Sequence, residues 1–430
     1  MMPADGRSPI RADRYMQLPD SARKMPLAPV SDEGLVSKEK ENLDSYNGSN
    51  NSALSNNLVT AVATVKQTGI NYNVHVFYYA WYGNPKHDRR WVHWNHEYLK
   101  HWNRKIAEKW PEGEHEPPDD VGSSFYPQLG AYSSRDPATI EQHMRWIRHA
   151  RIGVVIVGWY PPDMADPNGV PWEDLMPTLL DAAHRHSLKI AFHIEPYKDR
   201  SGDNLRTYIE YIIIKYGKHP AFYRYSSTRH PVPKPLIYIY DSYLIDAQQW
   251  QSTLKADGSK TVRGTQLDAY FIGLLVQERD KIELKTNGFD GFYTYFGADG
   301  FTYGSASRSW SGLQVYAKKN RMIFSASVAP GYDDVRVRPW NAINSRGRQD
   351  GEYYENHWQS AVNSNVDLVS ITSFNEWHEG TQIEPAIPKE YDMYTYHDYT
   401  PFGPDYYLNL TRKWVNKYTA TANAPIDVGL

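Results

Sequence analysis

Residues 136–160 read DPATIEQHMRWIRHARIGVVIVGWY, and this stretch holds one helix followed by one strand. Asp136 is an N-cap residue and Pro137 suits the first helical position, where its missing N–H costs nothing. Ile140, Met144 and Ile147 then recur at i, i+4 and i+7, one apolar stripe of an α-helix. Residues 153–160 (GVVIVGWY) are apolar almost without a break, as in a strand covered on both faces.

Seven more short β-rich runs lie on either side: 74–82 (VHVFYYAWY), 188–195 (LKIAFHIE), 235–241 (PLIYIYD), 270–276 (YFIGLLV), 288–296 (GFDGFYTYF), 321–328 (RMIFSASV) and 367–375 (DLVSITSFN). Helical stretches alternate with them. One carries Tyr354, Trp358 and Val362, and the last carries Tyr407, Leu410, Trp414 and Tyr418. Eight strands alternating with helices predict an α/β fold, a (β/α)8 barrel with long βα loops. The rival is an open doubly wound sheet, which often has a Gly-rich turn after its first strand. Only Gly83-Asn84-Pro85 follows Tyr82, and then a long loop rich in Trp, His and Pro, which favours the barrel.

Two regions are expected: a disordered polar tail over 1–70 and a catalytic barrel over 71–430. The tail is rich in Ser, Asn, Asp, Lys and Pro, without Trp, and lacks a recurrent apolar period. Asn47, Asn50 and Asn409 start glycosylation sequons, a weak sign of a lumenal or secreted life. No stretch approaches the roughly 20 apolar residues of a bilayer span, and no signal peptide is visible.

The 430 residues carry 47 Lys and Arg against 50 Asp and Glu, a net charge of −3, which gives no reason to expect nucleic-acid binding. Having no Cys, the chain has no thiolate chemistry. Its 34 Tyr, 14 Trp and 12 Phe make 14% of the chain aromatic, and rings with a polar edge suit sugars.

Barrel active sites form at the C-terminal strand ends. Those ends here carry Tyr78, Tyr79, Trp81, Trp159, Tyr160, Glu195, Tyr197, Asp241, Tyr293, Tyr295 and, last, Asn375-Glu376-Trp377-His378-Glu379. Aromatics with several carboxylates are what a site stabilising an oxocarbenium-like state needs. Glu376 and Glu379 lie three residues apart, so a helical turn lets both face one cavity, one as acid and one as base. Metal sites are not expected. His184 and His186 suit a helix surface, and His93 and His96 suit either a sugar contact or loop filling. Asp119-Asp120 and Asp333-Asp334 read as loop and cap residues.

The runs HVFYYAWYGNP, PPDDVGSSFYPQLGAYSSRDP, WYPPDM, FHIEPY, HPAFYRY, YIYDSY, GFDGFYTYF, FTYGS, RPWN and SITSFNEWHEGTQIE resemble the endo-α-1,2-mannosidases of glycoside hydrolase family 99, especially their animal Golgi members. The resemblance spans 71–418. It implies a (β/α)8 barrel, no metal and no cofactor, and Glu376 and Glu379 as the catalytic pair. It implies sugar contacts from Tyr79 (or Tyr78), Trp159, Glu195, Tyr295, Arg338 and Asn375. The implied substrates are glucosylated high-mannose N-glycans of glycoproteins, cut to release glucosyl-mannose with overall retention through a 1,2-anhydro sugar. Golgi residence is implied too, with membrane attachment only through an N-terminal anchor that this chain does not show. Two alternatives remain: a retaining glycosidase of other specificity working through a carboxylate ester, and a non-catalytic glycan binder.

Overall fold

The computed structural model describes residues 69–421. The expected tail, with Asn47 and Asn50, lies outside the described residues apart from its last two positions. Eight parallel strands close a barrel: β1 (Asn71–Tyr78), β2 (Ile152–Trp159), β3 (Lys189–Ile194), β4 (Lys234–Ile239), β5 (Tyr270–Leu274), β6 (Gly291–Tyr293), β7 (Ile323–Val328) and β8 (Leu368–Ile371). β1 pairs with both β2 and β8, and the β3–β4 pairing completes the ring. All eight coincide with the runs read from sequence. A helix follows each strand: α1 (Pro137–His149), α2 (Met176–Arg185), α3 (Gly202–Tyr216), α4 (Ala247–Leu254), α5 (Asp280–Thr286), α6 (Trp310–Lys319), α7 (Glu352–Ser364) and α8 (Tyr406–Thr421).

Local chemistry sets these helices. Asp136 accepts the Ala138 N–H, and Pro137 opens α1, whose Ile140, Met144 and Ile147 are buried. Ser201 and Asn204 close a reciprocal capping box on α3. Outward-facing strand residues such as Val74, Val76 and Tyr78 join the helices in one apolar cluster.

The barrel interior is different. His75, Phe77 and Tyr79 alternate with that outward set. Phe77 meets the rings of His193, Tyr238, Tyr293 and Tyr295 from three other strands or their ends. His75 Nδ1 bonds the Tyr238 hydroxyl at 2.8 Å, and Ser370 Oγ bonds both Ser325 and Ser327. The lumen is thus a ladder of paired polar groups and rings, which ties neighbouring strands together through their buried hydroxyls.

Candidate active site

The floor of the mouth is built from strand ends. Tyr79 and Tyr295 share a hydroxyl–hydroxyl bond of 2.7 Å, and both are fully buried. Tyr295 has a positive φ of 50°, held by its N–H on Ser327 Oγ and its carbonyl on the Thr372 hydroxyl. His193 lies between two partners, Glu195 at 3.1 Å from Nδ1 and the Tyr293 hydroxyl at 2.6 Å from Nε2. The Tyr293 bond fixes the ring of His193, which thereby stands its Nδ1 close to the Glu195 carboxylate.

Gly158 on β2 faces this floor. A Cβ there would stand 2.8 Å from both Glu195 Oε1 and the Tyr79 ring, so the position admits only glycine. The alternation then sends Trp159 to the other side. Trp159 is fully buried among Phe192, Tyr208 and Tyr211, between β3 and α3. Trp159, expected as a sugar contact, thus lies in the helix–strand core in this structure.

Asn375, expected as a sugar contact, is bonded to the backbone of Tyr79. Its side-chain oxygen accepts the Tyr79 N–H and its amide donates to the Tyr79 carbonyl, both at 2.8 Å. The Tyr132 hydroxyl takes a second amide contact at 3.3 Å, and the residue has no exposed surface. Asn375 clips the segment after β8 to the end of β1.

That clip positions the glutamates. After Glu376 the chain makes one 3-10 turn, Trp377–Glu379, and leaves it at Gly380 with φ 59°. The Glu376 N–H rests on Ser373 Oγ at 2.7 Å, and the Asp333 N–H donates to the Glu379 carbonyl at 2.8 Å. The Tyr82 hydroxyl donates to the Asn375 carbonyl and accepts from the Trp377 N–H. Glu376 is 3% exposed and Glu379 6%, so both are almost wholly buried.

Their surroundings differ. Burial, and then the charge of Glu376, push the Tyr82 hydroxyl well above its ordinary pKa. Glu379 stands beside Tyr332, which is raised by burial, Asp334 and Glu379 in that order. Arg338 is buried there, with Nη1 2.9 Å from Asp334. Asp334 also accepts from Tyr332 and Asn341, yet burial still raises its pKa.

Glu384, His143 and Tyr132 were not singled out from sequence. Glu384, fully buried, is bound by His143 Nε2, the Tyr132 hydroxyl and Trp377 Nε1, and so braces the turn from behind. Tyr79, Trp81 and His93 form a stack, with centroid spacings of 4.5 and 4.4 Å. His93 continues to Asp166 at 3.1 Å and to His378 at 3.3 Å. Burial holds His378 well below the ordinary histidine pKa, as do its neighbours His96 and His93, and its Nδ1 donates to the Gly122 carbonyl. His93 and His96 therefore fill and order the loop beside the mouth. Of the two histidines expected on a helix surface, His184 is exposed near the end of α2, and His186, just past it, is half-buried against Glu141 at 2.7 Å. Among the described residues no group of three His, Asp or Glu is arranged to hold a metal ion.

Comparison with known proteins agrees with the fold. The model of glycosyl hydrolase family 99 matches residues 69–420. The rat glycoprotein endo-alpha-1,2-mannosidase is 53% identical over 350 residues, covering 81% of this chain and 76% of its own. A zebrafish glycoprotein endo-alpha-1,2-mannosidase-like protein is 46% identical over 400 residues, 93% of this chain and 90% of its own. The GH99 endo-alpha-mannosidase structure from Bacteroides thetaiotaomicron superposes with a TM-score of 0.74 at 40% identity, covering 82% of this chain and 99% of that one. The chain belongs to glycosyl hydrolase family 99. It is a glycoside hydrolase that cleaves α-mannosidic bonds.

Proposed function

We propose that this chain is an endo-α-1,2-mannosidase that cuts glucosylated high-mannose N-glycans of glycoproteins and releases glucosyl-mannose. The observation that carries this reading is the pair Glu376 and Glu379 on one turn, set in two different environments above a tyrosine floor. The relatives' names supply the bond, the endo action and the glycoprotein. Such glycans are made in the secretory pathway, so the proposed place of work is the Golgi lumen. No helix among the described residues is long and apolar enough to cross a membrane.

In an α-mannoside the leaving oxygen and the 2-hydroxyl are trans-diaxial. In the proposed first step the 2-hydroxyl gives its proton to Glu376 and its oxygen bonds C1. The bond from C1 to the leaving oxygen breaks, and that oxygen takes the Glu379 proton. In the second step water gives a proton to Glu379 and its oxygen bonds C1, the C1–O2 bond of the anhydro sugar breaks, and O2 recovers its proton from Glu376. Two inversions leave the configuration retained. Each proton transfer contributes about 10²–10⁴-fold. Glu195, Tyr79 and Tyr295 are proposed as the floor under the sugar that is attacked, and Arg338, through Asp334, as the wall beside Glu379. Trp81 lies on Tyr79, so a sugar reaching that floor displaces the Trp81 ring.

The test is incubation with a glucosylated high-mannose glycan and mass analysis of the fragments. Glucosyl-mannose is the expected product. Single mannoses would mean an exo-enzyme. A stable adduct with a 2-deoxy-2-fluoro sugar would mean a carboxylate ester instead of the 1,2-anhydro route.

A further inference from the structure

One glycosylation sequon, Asn409-Leu410-Thr411, falls on a described element, where α8 begins. α8 is a wall helix with one face turned inwards. Leu408, Leu410, Thr411 and Val415 are buried, and Asn409 is exposed between them. Asn409 and Asn416 lie about two turns apart and so share one side of α8. That side meets the end of α1: His149 Nε2 donates to Asn409 Oδ1 at 2.9 Å, and Arg151 Nη1 donates to Asn416 Oδ1 at 2.6 Å. Asn409 thus belongs to the outer helix layer, whereas Glu376 and Glu379 belong to the turn after β8.

The side-chain atoms of Asn409 divide in a way that suits a glycan. The contact with His149 uses Oδ1, and an N-linked sugar is carried by Nδ2. The linkage leaves Oδ1 an amide oxygen, so the bond to His149 survives it. Because Asn409 is exposed, the attached sugar stays in water and no polar group has to be buried.

The other half of the sequon is hidden. Thr411 has no exposed surface: its hydroxyl donates to the Tyr407 carbonyl at 2.7 Å and meets the Tyr354 hydroxyl of α7 at 3.0 Å. A transferase that reads this hydroxyl has no access to it once α8 is packed on α7. The sugar must therefore be attached before α8 docks.

We propose that Asn409 is an N-glycosylation site, and that the folded barrel carries one glycan on its outer wall where α8 meets α1. The donor is an oligosaccharide held on a lipid pyrophosphate. Nδ2 bonds C1 of its first sugar, the bond from C1 to the pyrophosphate oxygen breaks, and the amide nitrogen gives up one proton to the medium. The inference rests on the secretory-pathway reading above, since such donors are used in that lumen.

The full chain, made in animal cells, is treated with peptide N-glycosidase in water labelled with heavy oxygen, then with trypsin, and the peptides are weighed. Residues 390–412 form one tryptic peptide with a single asparagine, Asn409, so its mass reports this site alone. One heavy oxygen in that peptide is the expected result. Asn409→Gln should lose one glycosidase-sensitive step of gel mobility, and an unchanged mobility in that variant overturns the site. An unlabelled 390–412 peptide beside label at Asn47 or Asn50 overturns the site and leaves the secretory reading standing. No label anywhere in the chain overturns the secretory reading and the site with it.

Discussion

The side-chain amide of Asn375 holds the N–H and the carbonyl of Tyr79, each at 2.8 Å, across 296 residues of sequence. This contact fixes where the chain after β8 stands relative to the end of β1, one residue before Glu376. Asn375→Asp keeps the shape but sets a carboxylate oxygen against the Tyr79 carbonyl. A buried acceptor facing an acceptor costs about 1–3 kcal/mol. The variant should melt several degrees lower and lose most of its kcat, with a smaller change in KM, because the glutamates are displaced while the rest of the cleft stays. Steady-state kinetics and calorimetry check this. A KM effect alone would return Asn375 to a sugar contact.

Trp159 should behave as a core residue. Trp159→Ala removes a fully buried indole and should destabilise the fold by about 3–5 kcal/mol. Trp159→Phe should restore most of the melting temperature and leave KM near the wild-type value. A strong KM increase in a stable Trp159→Phe protein would place the ring against the sugar after all.

That residue also shows how far the sequence could be read. The eight strands and their helices were legible because burial on both faces leaves apolar runs and because caps such as Asp136-Pro137 mark the starts. The same two-faced burial erased the polar–apolar alternation that would have told lumen from helix side within 153–160. The usable signal was Gly158, the gap that Glu195 and Tyr79 fill. Glu376 and Glu379 were legible from their place after the last strand, whereas the clip by Asn375 was not, since it depends on backbone atoms of Tyr79. His143 did leave a trace, a polar residue among Ile140, Met144 and Ile147, but its partner Glu384 is 241 residues away.

Stability should fall in mild acid for an identifiable reason. Burial lowers His75 and His96 to about 3 and drives His378 well down, so all three are neutral in the fold. The unfolded chain protonates them near the ordinary value of 6.5. Below that pH the unfolded state binds more protons, so stability is full above about 6.5 and is lost as pH falls towards about 3. Each histidine contributes at most about 1.4 kcal/mol per pH unit in that window. Melting curves from pH 7 to 4 should therefore slope downwards, and His96→Gln should flatten the slope relative to its own value at pH 7. An unchanged slope in that variant would show that His96 is not among the groups responsible.

The two glutamates should fail differently. Both are largely buried, so the amide is the right replacement: Glu376→Gln and Glu379→Gln keep shape and volume, and both proteins should fold and bind glycan. With a mannose leaving group both should be nearly inactive, since each loses a proton transfer worth about 10²–10⁴-fold. A glycosyl fluoride changes the balance, because fluoride departs without a full proton transfer. Glu379→Gln should then recover a large part of its first-step rate, measured as the release of fluoride. Glu376→Gln should not recover, because the 2-hydroxyl still has to lose its proton before its oxygen can close on C1. Azide or formate added to Glu379→Gln should raise turnover further by taking over the second step, in which water otherwise needs a base. Equal recovery in both variants would mean that the two carboxylates share one role, and recovery in Glu376→Gln alone would mean that acid and base are exchanged.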